Sequence, residues 1–509
     1  MRDNGLGSWT RRRARMTPTK AALVQDGVPT TYAELHRGAT RLAHGLRQRG
    51  IGRGDRVAFL GLNSVELVVA MFATAQLGAV FVPVNTRLAV PELAYVLEHS
   101  GASLLLAEDV LASPTTDPTI SALGIETVVF VRACGAGLDD LKSADETEVD
   151  EPIGLDDLFM IQYTSGTSGR PKGVMLTHGN VIWNVYNLLV DVDVTSEEVA
   201  LVTAPLFHTA ALNQVLFPTV LKGGTALVEA KFDPARAIDL IESMRVSLLF
   251  GVTSMYLALA AAPRFAEADL DSLRLALSGG APIPESLLHT WLDRGLMIVQ
   301  GYGLTEASPG VTMLRAADGV RKLGSAGSAC FFSDVRVVAS DVHGERETAI
   351  GEPGEVLVSG PNVSPGYWRD ERATVDAFDT ASAEQGWLHT GDLAVRDEEG
   401  YLRIVDRLKD MYISGGENVY PAEVERALHS HPAVAECAVI GVPDDRWGEV
   451  GRAYVVTRPG AELDAAGVLA HLDGRLARYK LPRSVVFVPE LPHNASGKLV
   501  KSRLREVTP

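Results

Sequence analysis

The stretch Tyr163-Thr-Ser-Gly-Thr-Ser-Gly-Arg-Pro-Lys-Gly173 decides how the 509-residue chain folds and what it handles. It follows the apolar run Leu158 to Ile161, a strand signal, and precedes a helical pattern that begins near Asn180. Small hydroxylated residues and glycines leave backbone N–H groups free and let a phosphate chain approach closely, while Lys172 supplies a cation. A strand, a phosphate-cradling loop and then a helix is the grammar of an open α/β sheet. The segment is not a Walker A loop. Counting from Gly166, the sixth position holds Pro171 in place of glycine, and Lys172 is followed by Gly173 instead of Ser or Thr. Pro171 also removes an amide donor where a P-loop uses one.

Further along, Gln300-Gly-Tyr-Gly-Leu-Thr-Glu306 follows a strand at Met297 to Val299. A dinucleotide fingerprint would need glycine at 306; glutamate there would repel a pyrophosphate unless a divalent cation intervened. Taken alone, this turn reads either as an ordinary turn or as a nucleotide site with metal, in which Tyr302 stacks on adenine, Thr305 bonds a phosphate oxygen and Glu306 holds Mg²⁺. His389-Thr-Gly-Asp392 with Asp406-Arg407 offers a carboxylate for ribose hydroxyls and an arginine to bridge ribose and phosphate. Two more clusters follow, the Gly-rich Ser414-Gly-Gly-Glu-Asn418 and the turn Pro492-His-Asn-Ala-Ser-Gly-Lys498, which presents one lysine.

Around these motifs the chain alternates strand-like runs with amphipathic helices, which predicts parallel sheets built from βα units. Strands are expected at 56–62, 79–84, 103–107 and 127–131, with a helix at 65–77; a second series follows at 199–203, 225–228 and 247–250, with helices at 211–221 and 234–244. The pattern predicts two open α/β sheets in sequence, then short strands between Gly and Pro turns over about 320–400. The charged pentapeptide Asp406-Arg-Leu-Lys-Asp410 marks the expected boundary between an N-terminal domain, 1–406, and a C-terminal α+β domain, 407–509.

Composition removes several classes. Lys plus Arg number 47 against 64 Asp plus Glu, a net charge of −17, the wrong sign for a nucleic-acid-coating protein. Three cysteines, Cys134, Cys330 and Cys437, spaced too widely for CxxC, argue against a disulfide framework or thiolate zinc site and for a reducing cytoplasm. No apolar run approaches the roughly 18 residues of a membrane span. Arg11, Arg12, Arg13 and Arg15 read as a solvated face or as a peripheral contact with anionic lipid. The absence of GxSxG and HExxH disfavours hydrolase and zinc-protease chemistry.

In their order and spacing these clusters resemble the adenylate-forming superfamily, and within it the acyl-CoA synthetases, through Pro205-Leu-Phe-His208, Ser278-Gly-Gly-Ala-Pro282, Asp406-Arg-Leu-Lys-Asp410 and Ser414-Gly-Gly-Glu-Asn-Val-Tyr-Pro421. The resemblance spans almost the whole chain. It implies a large N-terminal region of two α/β subdomains plus a β-barrel, and a small mobile C-terminal domain. It also implies ATP and CoA as co-substrates with Mg²⁺, a carboxylic acid activated as acyl-AMP with loss of pyrophosphate, and acyl transfer to CoA with loss of AMP. Transferred motif by motif, Lys498 is the adenylation lysine, and Thr164, Ser165, Gly166, Thr167, Ser168 and Lys172 bind phosphates. Gly280, Ala281, Pro282, Gly301, Tyr302 and Gly303 bind ATP, with Tyr302 stacked on the adenine, Thr305 and Glu306 serve phosphate and Mg²⁺, and Asp392 and Arg407 hold the ribose. Lys409 occupies the hinge. His208, Gly415, Gly416 and Glu417 face CoA, and His208 takes the aromatic gate between carboxylate and thiol. His493 stands where arginine is frequent.

Amino-acid-activating relatives place an Asp after the Pro205 motif; Phe207-His-Thr-Ala-Ala-Leu-Asn213 has none, which disfavours a free α-amino acid. Ala210, Ala211, Leu212, Asn213, Gly251, Val252, Gly279, Gly303 and Leu304 would line an uncharged acyl pocket, suited to a medium- or long-chain or bulky hydrophobic acid. The alternatives are an aryl or secondary-metabolite carboxylate, including terpenoid and polyketide acids, and an acyl-AMP ligase that loads a carrier protein. The protein is expected as a monomer or homodimer.

Overall fold

A computed structural model describes residues 3–164, 171–281, 283–341, 344–379, 386–414, 417–444, 447–473, 475–476, 478–493 and 499–505. Its internal contacts form two compact units, one of Met1–Val335 with Val358–Leu388 and one of Arg336–Leu357 with His389–Pro509.

The first unit holds two sheets. One has six strands in the order Glu126–Phe130, Leu104–Glu108, Arg56–Leu60, Val80–Pro83, Leu158–Thr164, Lys172–Thr177. All neighbours are parallel except the last pair, which is antiparallel. The helix Val65–Gln76 crosses between two of these strands and is buried along its whole length, as a helix apolar on every face must be. Its N-terminus is capped by Ser64, whose side chain accepts from the Leu67 N–H.

The other sheet has nine strands: Ser328–Ala329, Gly310–Met313, Ile298–Gly303, Leu275–Gly279, Leu248–Gly251, Val199–Val202, Thr225–Val228, Ala21–Gln25 and Val28–Thr31. From Ile298–Gly303 to Ala21–Gln25 every neighbour is parallel. The sheets are therefore not laid down one after the other. The hairpin of Ala21–Gln25 and Val28–Thr31 precedes every strand of the six-stranded sheet, yet joins the nine-stranded one through Leu23 and Val24 opposite Ala226 and Leu227. Asp26 and Gly27 turn that hairpin with positive φ of 50° and 78°, the conformation a two-residue turn of this hand requires. The acidic segment after Cys134 also packs more closely than a solvent loop. Leu138 and Leu141 are buried, and Arg41 Nε, from the helix Tyr32–Gln48, donates to the Ser143 carbonyl at 2.8 Å.

A further sheet, mostly of second-unit residues, runs Gly344–Glu347, Asp334–Asp341, Gly354–Ser359, Trp387–Arg396, with Phe378–Asp379 and Leu402–Arg407 both paired to Trp387–Arg396, over the stretch where short strands were expected. A separate sheet follows, Glu417–Val419, Tyr412–Ser414, Gly448–Thr457, Val434–Asp444, with Ser484–Phe487 parallel to Gly448–Thr457. The helix Pro421–His429 covers it through Val424 and Leu428. No helix is long and apolar enough to cross a membrane among the described residues.

Candidate active site

In open α/β sheets, ligands bind beyond the carboxyl ends of the parallel strands. At that edge of the nine-stranded sheet Gly251 pairs with Ser278, and Gly279 with Gly301. The residues that follow them, Val252, Gly280, Ala281, Tyr302 and Gly303, leave the same edge. Thr203, Gln214, Ser278 and Ser308 each hold a buried side-chain oxygen without a hydrogen-bond partner among the described residues, so polar capacity is left uncommitted around this edge. His208 begins the short helix Thr209–Ala211 with its ring 4.7 Å from that of Phe207. Burial, helped by the Arg87 cation, pushes its imidazole down to about 4, so the ring is neutral over the working pH range.

The turn carrying Glu306 is fixed by neighbours that no motif revealed. Its backbone folds back through Leu304 N–H to the Pro309 carbonyl at 3.0 Å. A Cβ on Gly303 would stand 1.7 Å from that same carbonyl oxygen, so only glycine fits. Three buried asparagines then hold the turn. Asn213 Nδ2 donates to the Ser308 carbonyl at 2.7 Å, and Asn184 Oδ1 accepts from Gly310 N–H at 2.9 Å. Asn362 Nδ2 donates to both the Ala307 and Gly310 carbonyls at 2.8 Å. Asn213, read from sequence as an acyl contact, thus has its amide nitrogen turned to the main chain of the Glu306 turn.

Thr164 and Lys172 face one another across the antiparallel pair that flanks the loop read from sequence as a phosphate cradle. Ser165, Gly166, Thr167 and Ser168 lie outside the described residues, as do Pro282, Gly415, Gly416 and Lys498, and nothing is described of the Glu417 side chain. The segment Ser364 to Trp368 docks beside Lys172 through Met175 N–H to the Gly366 carbonyl at 3.0 Å and Trp368 N–H to the Gly173 carbonyl at 2.7 Å. Tyr367 is thereby presented to Glu306, and its hydroxyl donates to Glu306 Oε1 at 2.7 Å. Lys172 Nζ lies over the same ring, 4.8 Å from its centre.

Within the second unit Asp392 and Arg407 are cross-strand partners, with Arg407 Nε 3.3 Å from Asp392 Oδ1. Asp406, beside them, accepts from the Arg407 and Ala422 N–H groups at 2.7 Å each, which ties the expected hinge to the start of the helix Pro421–His429. Lys409 is held below its usual pKa, mainly by burial. His493 places Nε2 2.9 Å from Glu436 Oε1.

Among the described residues no cluster of three or more His, Cys, Asp or Glu could cage a metal ion. Glu306, with one oxygen engaged by Tyr367, fits Mg²⁺, which is commonly held by one or two carboxylates plus substrate phosphates and water.

Glycines at the carboxyl ends of the parallel strands, Lys172 opposite Thr164 and a carboxylate on a clamped turn are the arrangement expected of an adenylate-forming enzyme. The comparisons agree: the AMP-binding enzyme family matches residues 10–368, and the AMP-binding enzyme C-terminal domain matches 423–498. A feruloyl-CoA synthase from an Amycolatopsis species is 51% identical over 505 residues, spanning 99% of each chain. A long-chain-fatty-acid–CoA ligase of Mycobacterium tuberculosis is 40% identical over 512 residues, 98% of each chain. The o-succinylbenzoate–CoA synthetase of Bacillus subtilis, solved with ATP and magnesium ion, superposes with a TM-score of 0.87 at 34% identity, covering 98% of this chain and 99% of that one. The chain belongs to the AMP-binding enzyme family and is an AMP-forming acid–thiol ligase.

Proposed function

We propose that the protein activates an aromatic carboxylic acid with an uncharged ring system, of the arylpropenoic kind, and transfers it to CoA. The observation that carries this reading is the 51% identity over 99% of the chain to a feruloyl-CoA synthase, against 40% to a fatty-acid ligase. The acyl-side residues agree with it. Ala210, Ala211, Leu212, Gly251, Val252 and Leu304 bring no charge, so a tail carrying a second carboxylate would be left unpaired. The fatty-acid reading is the second, supported by the same uncharged lining and by that 40% relative.

In the first half-reaction a carboxylate oxygen attacks the ATP α-phosphorus, the bond to the bridging oxygen breaks, and pyrophosphate leaves. Two anions must meet, so cations at the phosphorus provide most of the barrier reduction. Lys172 and the loop N–H groups take the phosphates, and Lys498 bridges the carboxylate and the α-phosphate. Mg²⁺, held at Glu306, would supply charge neutralisation on the phosphates. Tyr302 stacks on the adenine, Asp392 accepts from the ribose hydroxyls, and Arg407 donates to ribose and phosphate. In the second half-reaction the CoA thiol, its proton given up, attacks the acyl carbonyl and AMP leaves with the former carboxylate oxygen. The neutral His208 gates that approach. The pivot is Lys409, at the 406/407 boundary between an N-terminal and a C-terminal domain, and its rotation withdraws Lys498 and brings Gly415 and Gly416 to the pantetheine.

The test is pyrophosphate release against ferulate, cinnamate, dodecanoate and palmitate, with and without CoA, and with thioester detected by mass spectrometry. The aromatic reading predicts the highest kcat/KM for ferulate or cinnamate. A preference for dodecanoate or palmitate would replace it with the fatty-acid reading, and adenylate without thioester would replace both with carrier-protein loading.

A further inference from the structure

We propose that Tyr367 is a positioning residue that keeps the phosphate-binding Lys172 and the metal-binding Glu306 apart, so that each is free to meet the nucleotide. The proposal rests on the reading of those two residues given above. Lys172 opens the strand Lys172–Thr177, and Glu306 lies on the turn beyond Ile298–Gly303, so the two come from different sheets of the first unit. They carry opposite charges and share one neighbour. Both touch the same phenol, whose hydroxyl donates to Glu306 Oε1 at 2.7 Å and whose ring centre is 4.8 Å from Lys172 Nζ. Neither takes part in an ion pair among the described residues, and opposite charges that share one neighbour attract each other.

A direct ion pair would withdraw both groups at once. The ammonium would no longer be offered to the triphosphate, and the carboxylate would no longer be offered to a cation. Tyrosine prevents this with two different handles, because the ring face attracts the cation weakly while the hydroxyl donates to the anion. A weak hold on lysine suits a group that must leave for a phosphate. The stronger, directional hold on glutamate orients one oxygen and leaves the other for a ligand.

The backbone around Tyr367 is built to keep it there. Its N–H donates to Thr374 Oγ1 at 2.9 Å, Trp368 and Gly366 bond to the strand that Lys172 begins, and Ser364 N–H donates to the Glu306 carbonyl at 2.7 Å. All of these bonds use main-chain atoms of this segment and survive a change of the Tyr367 side chain. Phenylalanine therefore removes only the hydroxyl, and leucine removes the ring as well.

The experiment is titration calorimetry of α,β-methylene-ATP, which cannot lose pyrophosphate, into the full-length protein with and without Mg²⁺. Wild type is compared with Y367F, Y367L, E306Q and Y367L/E306Q. E306Q should abolish the gain in affinity that Mg²⁺ brings, and Y367F should reduce that gain about tenfold, as expected for a lost hydrogen bond to a charged group, with metal-free affinity unchanged. Y367L should also weaken metal-free binding, because Lys172 collapses onto Glu306. The double variant should recover the metal-free affinity of E306Q, a rescue that a purely structural role for the ring would not produce. If Y367F keeps the full Mg²⁺ gain while E306Q loses it, or if Y367L/E306Q shows no rescue, the spacer role is wrong and the Glu306 assignment stands. If E306Q keeps the gain, the metal assignment fails and the spacer role falls with it.

Discussion

Replacing Gly303 by alanine should disable adenylation by displacing the turn that carries Glu306. The added methyl carbon would lie 1.7 Å from the Pro309 carbonyl oxygen, and real contacts of this kind essentially never fall below 3.0 Å, so the carbonyl must retreat by at least 3.0 − 1.7 = 1.3 Å. That carbonyl accepts the Leu304 N–H bond that closes the turn, and Glu306 lies inside the closed segment. A misplacement of about 1 Å at a positioned group costs on the order of 10²-fold in rate, equivalent to roughly 2.7 kcal/mol of barrier. The assay is acid-dependent ATP–pyrophosphate exchange, with thermal melting measured in parallel. Gly38→Ala is the control, since its methyl would meet only the Val69 side chain at 3.8 Å. An exchange rate for Gly303→Ala within threefold of wild type would refute the reasoning, because the turn would then tolerate the displacement that the geometry demands.

Other perturbations test separate parts of the account. Lys498→Ala should lower pyrophosphate exchange by at least about 10²-fold, while thioester formation from supplied acyl-adenylate persists; equal loss of both would contradict two half-reactions served in turn. Asn362→Leu strips donors from the Ala307 and Gly310 carbonyls and should destabilise the protein by about 2–6 kcal/mol, read as a lower denaturation midpoint. A midpoint equal to that of wild type would mean that the carbonyls find other partners. His178, fully buried and accepting from the Leu6 N–H, is pushed down to about 4 by desolvation. The unfolded chain therefore takes up a proton below about pH 6.5 that the folded chain refuses until about pH 4, and stability falls as pH drops through that window. Between pH 7 and 5 the loss from this group is about 2 kcal/mol, and His178→Gln, which keeps an acceptor, should remove that part of the pH dependence. An unchanged pH dependence in the variant would assign the effect elsewhere.

Local pattern carried much of the fold. The helix expected at 65–77 is Val65–Gln76, and the strand expected at 225–228 is Thr225–Val228, because each is a run whose burial follows from its own residues. What pattern could not carry was pairing at a distance. Ala21–Gln25 meets Thr225–Val228 some two hundred residues away, and nothing in either run names its partner. The helix expected at 211–221 likewise divides into Thr209–Ala211, a π-turn at Leu212–Leu216 and Phe217–Lys222, an irregularity that apolar periodicity does not encode. In the site, Lys172 and Glu306 stood out because charge in a Gly-rich setting is unusual. Tyr367, Asn184 and Asn362 did not, because a buried amide or phenol becomes informative only when its partner is known. Gly366-Tyr367-Trp368 is the one signal that could have been pursued, as two aromatics directly after a glycine.

The asparagine clamp has a consequence for how such an enzyme changes over evolutionary time. Asn184, Asn213 and Asn362 hold the Glu306 turn, and their bonds end on main-chain atoms that almost any residue would supply. Ala210, Ala211, Gly251 and Val252 take no part in those bonds. If these four line the acyl side, as proposed above, that lining can drift, one substitution at a time, while the Glu306 turn stays in register. Relatives named for ferulate and for long-chain fatty acids, both about as long as this chain, are what such a division of labour would leave behind. A laboratory library confined to those four positions would search new acids without reopening the phosphate chemistry.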